Sequence, residues 1–261
     1  MPPPGRGTPP PAPPPAPPPT PTPPVVGVPP APPPVVPPPV SAPPIPVPPE
    51  SPVGSRQPPR VALLVAGDPD ELVAGDQVLV DTLEGLGFFV LRLDDSDPPD
   101  RGELGLVVIS PSVISNTVAN KYRDLPVPMV VMDFGIFDDM GMTGAGENMN
   151  FGTTAGRQVE ITADQQAHPL AGRLTGTVSI AAMNAPLNWG VPGPGAIVVA
   201  TLPNTPNRAV IFGYPKGAVM QGAQTALAKR IGFFASDMLT SRLSAEGTEL
   251  VKAAIEWAFA P

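Results

Sequence analysis

From position 60 onward short apolar runs alternate with amphipathic stretches, and the alternation predicts buried strands with helices between them. Arg60-Val61-Ala62-Leu63-Leu64-Val65-Ala66-Gly67-Asp68 is a continuous apolar run stopped by a Gly-Asp turn, the pattern of a strand covered on both faces. Residues 71–85 place Leu72, Val73, Val80 and Leu83 at helical spacing, with Leu86 just beyond and the Gly85/Gly87 pair as the stop. Strands follow at 88–93, closed by Asp94-Asp95-Ser96-Asp97, and at 104–109, closed by Ser110-Pro111-Ser112. A short helix is expected over about 113–122, then a fourth strand at 127–132 ending in Asp133-Phe134-Gly135.

After that point the texture changes. Residues 158–161 and 177–180 alternate apolar with polar, and residues 196–202 pair with 209–214 across the turn Pro203-Asn204-Thr205-Pro206-Asn207. Residues 230–235 return as a core strand. The chain closes with a helix capped by Ser244, whose Leu250, Val251, Ala254, Trp257 and Ala258 form an apolar stripe. The order predicts an α/β fold: a flavodoxin-like, doubly wound, mostly parallel sheet with inserted β-hairpins.

Before position 60 the pattern is absent. Of the chain's 45 prolines, 31 fall in residues 1–59, and all thirteen aromatic residues fall after them. Runs such as Pro13-Pro14-Pro15-Ala16-Pro17-Pro18-Pro19 fix φ and exclude the α region at each preceding residue, so a polyproline II tail is expected over 1–59 and one domain over 60–261. The tail is open to two readings. It is a semi-rigid stalk or linker, or it is a segment that docks a protein partner or self-associates. The valine pairs Val25-Val26 and Val35-Val36, with Ile45 and Val47, make it more apolar than a purely solvated spacer requires.

Charge narrows the functions. The tail holds only Arg6, Arg56 and Glu50, a net of +1 against −8 for the whole chain, so the remaining residues carry −9. That field repels nucleic acid and anionic lipid, and no basic run exceeds Lys229-Arg230. No apolar stretch approaches the ~20 residues of a membrane span, so no membrane insertion is expected. The opening Met-Pro-Pro-Pro-Gly-Arg lacks the pattern of a secretory signal. With no cysteine, the chain has no disulfide, thiolate nucleophile or cysteine-held metal.

Within residues 60–259 the chain resembles the class I glutamine-amidotransferase-like superfamily, nearest its trehalose-utilisation (ThuA-like) branch. The amidotransferase fourth strand runs Pro-apolar-apolar-Gly-Ile-Cys-x-Gly into the turn that presents the nucleophile, and here that register reads Pro128-Met129-Val130-Val131-Met132-Asp133-Phe134-Gly135. Ala167-His168-Pro169-Leu170-Ala171-Gly172-Arg173-Leu174 is similar to a His-Pro stretch of ThuA-like proteins. Residues 137–143 and 228–234 look like segments of bacterial domains of this kind in exported proteins, often beside carbohydrate-related modules. The resemblance implies an extracellular or cell-surface setting and a carbohydrate as a possible partner. Asp133 stands where the catalytic cysteine would stand, and glutaminase chemistry needs a thiolate beside an imidazole, so that activity is excluded by inventory.

In a doubly wound sheet ligands bind at the carboxyl ends of the strands, which here carry Asp68, Asp94, Asp95, Ser110, Ser112 and Asp133, joined by Asp138 and Asp139 if the next loop folds back. Clustered carboxylates suit a divalent cation or a polyol; strand-end aspartates also serve simply as turn residues. Asp133 and His168 are the catalytic candidates of an enzyme reading, a ThuA-like activity on sugar derivatives. Against it stands the reading of a catalytically silent binding or structural module on the proline-rich stalk. Trp189, in Asn188-Trp189-Gly190, is either a sugar-stacking platform or a lid on the core. No phosphate-cradling loop is present, because Gly144-Ala145-Gly146 lacks a following Lys-Ser/Thr.

Overall fold

A computed structural model describes residues 60–99 and 102–261. The tail expected over 1–59 lies outside the described residues. Five strands form a parallel centre: β1 (Val61–Ala66), β2 (Phe89–Asp94), β3 (Leu106–Ile109), β4 (Met129–Val131) and, from far along the chain, β11 (Arg230–Phe233). Their order across the sheet is β2-β1-β3-β4-β11, with Val65 level with Ile109 and Ile109 level with Val131.

The hairpin region continues the same sheet. Beyond β11 come β10 (Thr205–Tyr214), β9 (Ile197–Leu202), β6 (Gln158–Ile161) and β7 (Thr177–Ser179), while β8 (Ala185–Gly190) branches from β10 and pairs β5 (Phe151–Gly156). Every pairing between named strands outside the centre is antiparallel. At β10–β11 Phe212 lies opposite Gly232, where a Cβ would stand 2.2 Å from the phenyl ring. Glycine there lets the ring lie flat on the neighbouring backbone.

Alternate residues of the parallel strands feed two cores. Ala62, Leu64, Val108, Val130 and Ile231 meet α1 (Ala74–Gly85) and α4 (Ala245–Phe259), whose Leu250, Val251, Ala254, Trp257 and Ala258 are all buried. Leu63, Val65, Val107, Ile109 and Val131 meet Val118 of α2 (Ser115–Val118), Tyr122, Ile136, Phe137 and Met140 on the other face. Each fully buried aliphatic or aromatic side chain is worth about 1.5–3 kcal/mol, so the two covers hold the sheet rigid under the site. Ser244 caps α4 as expected, accepting from the Gly247 amide at 3.1 Å.

Several boundaries differ from the sequence reading for local reasons. Helix α1 begins at Ala74, not Glu71, because the Asp68 carboxylate accepts from the Asp70 and Glu71 amides and holds that segment as a turn. The second helix is only four residues long and stops at Ala119, whose φ of 43° is off the helical path. The β9–β10 hairpin turns on Pro203-Asn204 alone, with Asn204 at φ 57°, so Thr205 is already strand. Strands β5 and β8 and the short helix α3 (Asp237–Thr240) were not anticipated. No described helix is long and apolar enough to cross a membrane.

Candidate functional site

Strand β4 ends at Val131, and Met132 and Asp133 carry the chain in extended form to a 3-10 turn over Phe134–Ile136. Asp133 is the cap of that turn. One carboxylate oxygen accepts from the Gly135 amide at 3.0 Å, and the other accepts from the Ser115 hydroxyl of α2 at 2.6 Å. Gly135 is required by the second contact, since a Cβ there would sit 2.4 Å from Ser115 Oγ. Asp133 is 6 % exposed, and burial pushes its carboxyl above the usual aspartate range while both hydrogen bonds pull it back. Its φ of −93° and ψ of 117° are ordinary extended values. A nucleophile elbow holds its residue in a strained turn, and Asp133 is not so held.

Beside Asp133 opens a cleft of about 400 Å³. Its polar wall is Asp133, Thr153, Asn188, Ser236 and Asp237, and its apolar wall includes Pro111, Phe134, Pro186 and Met238. Three adjacent parallel strands supply residues just past their carboxyl ends, Pro111 after β3, Asp133 after β4 and Ser236-Asp237 after β11, and the β5–β8 ribbon supplies the rest. Asn188 fixes this junction. Its amide nitrogen donates to Met132 O at 2.6 Å and to Ala235 O at 2.7 Å, tying together the chain ends that leave β4 and β11. Both amide hydrogens are then spent, and the amide oxygen is buried without a hydrogen-bond partner, as is the Ser236 hydroxyl.

Next to the cleft lies a carboxylate that the sequence reading missed. Asp76, in the first turn of α1 and 1 % exposed, accepts from the hydroxyls of Ser110 and, at 2.8 Å, Ser112. Burial raises its pKa, the two serines oppose the shift, and the Asp237 charge adds to the rise. The signal was present in the sequence: Leu72, Asp76, Leu79, Val80 and Leu83 share one helical face, so the aspartate sits in the apolar stripe.

The remaining candidates are distributed elsewhere. Asp68 caps its own turn, as described above. Asp94 accepts from the amide and hydroxyl of Ser96, bonds that lower its pKa. Asp95 is buried and accepts from the Ile114 amide at 2.7 Å. Asp138 and Asp139 line a second cleft of about 510 Å³ with Ser115 and Glu147, and burial, then the Asp138 charge, raises the pKa of Asp139. Ser110 and Ser112 turn to Asp76 rather than to these residues. Among the described residues no three His, Asp or Glu side chains converge on a point where a metal ion would be held.

His168 and Asp133 do not meet. His168 caps the 3-10 turn at Pro169–Ala171, accepting from the Leu170 amide on Nδ1 at 3.2 Å, and its ring lies 5.6 Å from that of Trp257. The Lys229 ammonium lies over the same tryptophan, and Lys229 immediately precedes β11, so His168 stands at the amino end of the parallel strands. Asp133 follows the carboxyl end of β4, the full strand away, on the order of 10 Å. Burial lowers the His168 pKa and favours the neutral ring. Trp189 is 1 % exposed, with the Arg208 guanidinium 4.2 Å from its ring centre, so it offers no open face to a sugar.

No protein-family profile matches the chain, and no curated protein does. Among solved structures it is similar to a protein named as thua-like from Bacteroides uniformis, at 13 % identity and a TM-score of 0.48, covering 80 % of this chain and 95 % of that one. It is also similar to one so named from Parabacteroides merdae, at 15 % identity and a TM-score of 0.47, covering 77 % and 90 %. Neither likeness transfers a site residue to this chain.

Proposed function

We propose that residues 60–261 form an amidotransferase-like, flavodoxin-like doubly wound module that binds a small polar ligand in the Asp133 cleft and does no covalent chemistry on it. The observation that carries this reading is the Asn188 amide. It is anchored on two backbone carbonyls and keeps one buried acceptor unpartnered in a residue that lines the cleft together with the buried Asp133. Native interiors rarely leave such an atom unpaired, because an unmade bond costs about 1–3 kcal/mol, and a bound ligand is one way to offset the cost. The absence of strain at Asp133 and its distance from His168 favour binding over catalysis.

Incubating the protein with a panel of sugar derivatives and following product formation tests the silent-module reading. No product is expected. Turnover that disappears in Asp133→Asn would restore the ThuA-like enzyme. The proposal extends to residues 1–59 as a polyproline II stalk at or beyond the cell surface. Small-angle scattering of the full chain and of residues 60–261 should differ by an extended tail, and equal dimensions would remove the stalk.

A further inference from the structure

Resting on the binding-module reading, the inventory of donors and acceptors in the cleft identifies the class of ligand. Asn188 offers no free donor, both amide hydrogens being held by Met132 O and Ala235 O, and its oxygen is buried and unpartnered. The Asp133 and Asp237 carboxylates, when ionised, also only accept. Of the polar residues lining the cleft, Asn188 has spent its donors on the backbone, which leaves the hydroxyls of Thr153 and Ser236, and among the described lining residues there is no Lys, Arg or His. Such a wall asks its occupant for hydrogen-bond donors and returns few. A sugar or other polyol brings an acceptor with every hydroxyl it donates and would leave oxygens unpaired. An ammonium brings donors and no acceptor.

Charge and surface agree with this reading. Residues 60–261 carry a net −9, a field that draws cations toward any open acidic cleft. The apolar wall of Pro111, Phe134, Pro186 and Met238 suits the hydrocarbon body of an organic cation, and a phenyl ring adds cation–π attraction where the charge lies over its face. We infer that the Asp133 cleft binds a small organic ammonium, its charged head at the Asp133 and Asp237 carboxylates, beside the buried Asn188 amide, and its carbon chain against Phe134 and Met238.

Isothermal titration calorimetry of the full chain at neutral pH decides it, with n-butylammonium chloride as the cationic probe and sorbitol and methyl glucoside as polyol probes. Saturable binding of the amine alone is expected, weakened about tenfold or more by Asp133→Asn and several-fold by Asp237→Asn. Asp237 is exposed, so its variant should keep the fold even if the Asp133 variant does not, and circular dichroism checks both. Saturable polyol binding with a silent amine overturns the ligand class and leaves the binding module standing. Amine binding untouched by either substitution overturns the placement. No saturable binding by any probe removes this inference, and the module reading is then tested separately by thermal shift against the sugar-derivative panel: stabilisation that is lost in Asp237→Asn keeps a binding module in this cleft, and no stabilisation by any member removes it.

Discussion

At the amino ends of β4 and β11 the Arg230 guanidinium is buried, 1 % exposed, and donates to the carbonyls of Val127 at 2.8 Å, Lys229 at 3.1 Å, Arg123 at 3.3 Å and Leu125. At the carboxyl ends of the same two strands Asn188, 2 % exposed, also bridges backbone carbonyls, but one of its atoms is left over. The amino end continues in the first manner. Lys229 donates to Trp257 O at 3.0 Å and Ala260 O at 2.8 Å, and His168 is spent on its own turn. Burial pushes the Arg230 pKa down to about 10, and its guanidinium lines neither of the two clefts described above. Buried polarity by itself therefore does not distinguish a site from a staple. What distinguishes them is bonding capacity that the protein leaves unused beside a cavity.

The sharpest way to break this contrast is at Arg230. Arg230→Met strips donors from several buried carbonyls and should lower stability by about 3–4 kcal/mol in denaturant unfolding, with amine affinity unchanged wherever the protein is folded. Lost binding in a folded Arg230→Met protein would mean that the two ends are coupled. Asn188→Ala strands two carbonyls and should cost about 2 kcal/mol, and here ligand affinity should fall as well.

A smaller effect is expected at Asp76. Its carboxyl is raised in the folded state, so the contribution to stability is fully present below the unfolded pKa and is lost as pH rises through the folded value. Asp133 contributes in the same direction. Thermal unfolding from acidic to neutral pH should show stability declining over that window, and Asp76→Asn should flatten the decline. An unchanged pH profile would mean that Asp76 is not a buried charge. Least of all should happen at His168: His168→Gln is expected to cost about 0.5 kcal/mol through the weakened cap, with no change in binding.

The parallel centre was legible because each of its strands is a continuous apolar run with a clear stop, and α4 because Ser244 and the stripe at 250–258 agree. Strand β5 was not, since Phe151-Gly152-Thr153-Thr154-Ala155-Gly156 has neither an apolar run nor alternation, and it is strand only because β8 pairs with it. Asn188 was passed over for the same reason, sitting in a stretch that reads as a glycine- and proline-rich loop. Asp133 was visible as the end of an apolar strand followed by a turn. Its partner Ser115 was not, because the contact depends on α2 stopping after one turn and on Gly135 leaving room. Asp76 was readable in the helical spacing and was overlooked beside the more conspicuous strand-end aspartates.

On the proposed reading a ligand occupies the carboxyl end of the parallel strands and the amino end only holds the fold. Backbone amide shifts recorded during titration with n-butylammonium separate the two ends residue by residue. Saturable shifts are expected at 133–136, 153–154, 187–188 and 236–238, with residues 168, 170, 229–230 and 257 unmoved. Shifts centred on the second group, or spread evenly over the acidic surface without saturation, would contradict it.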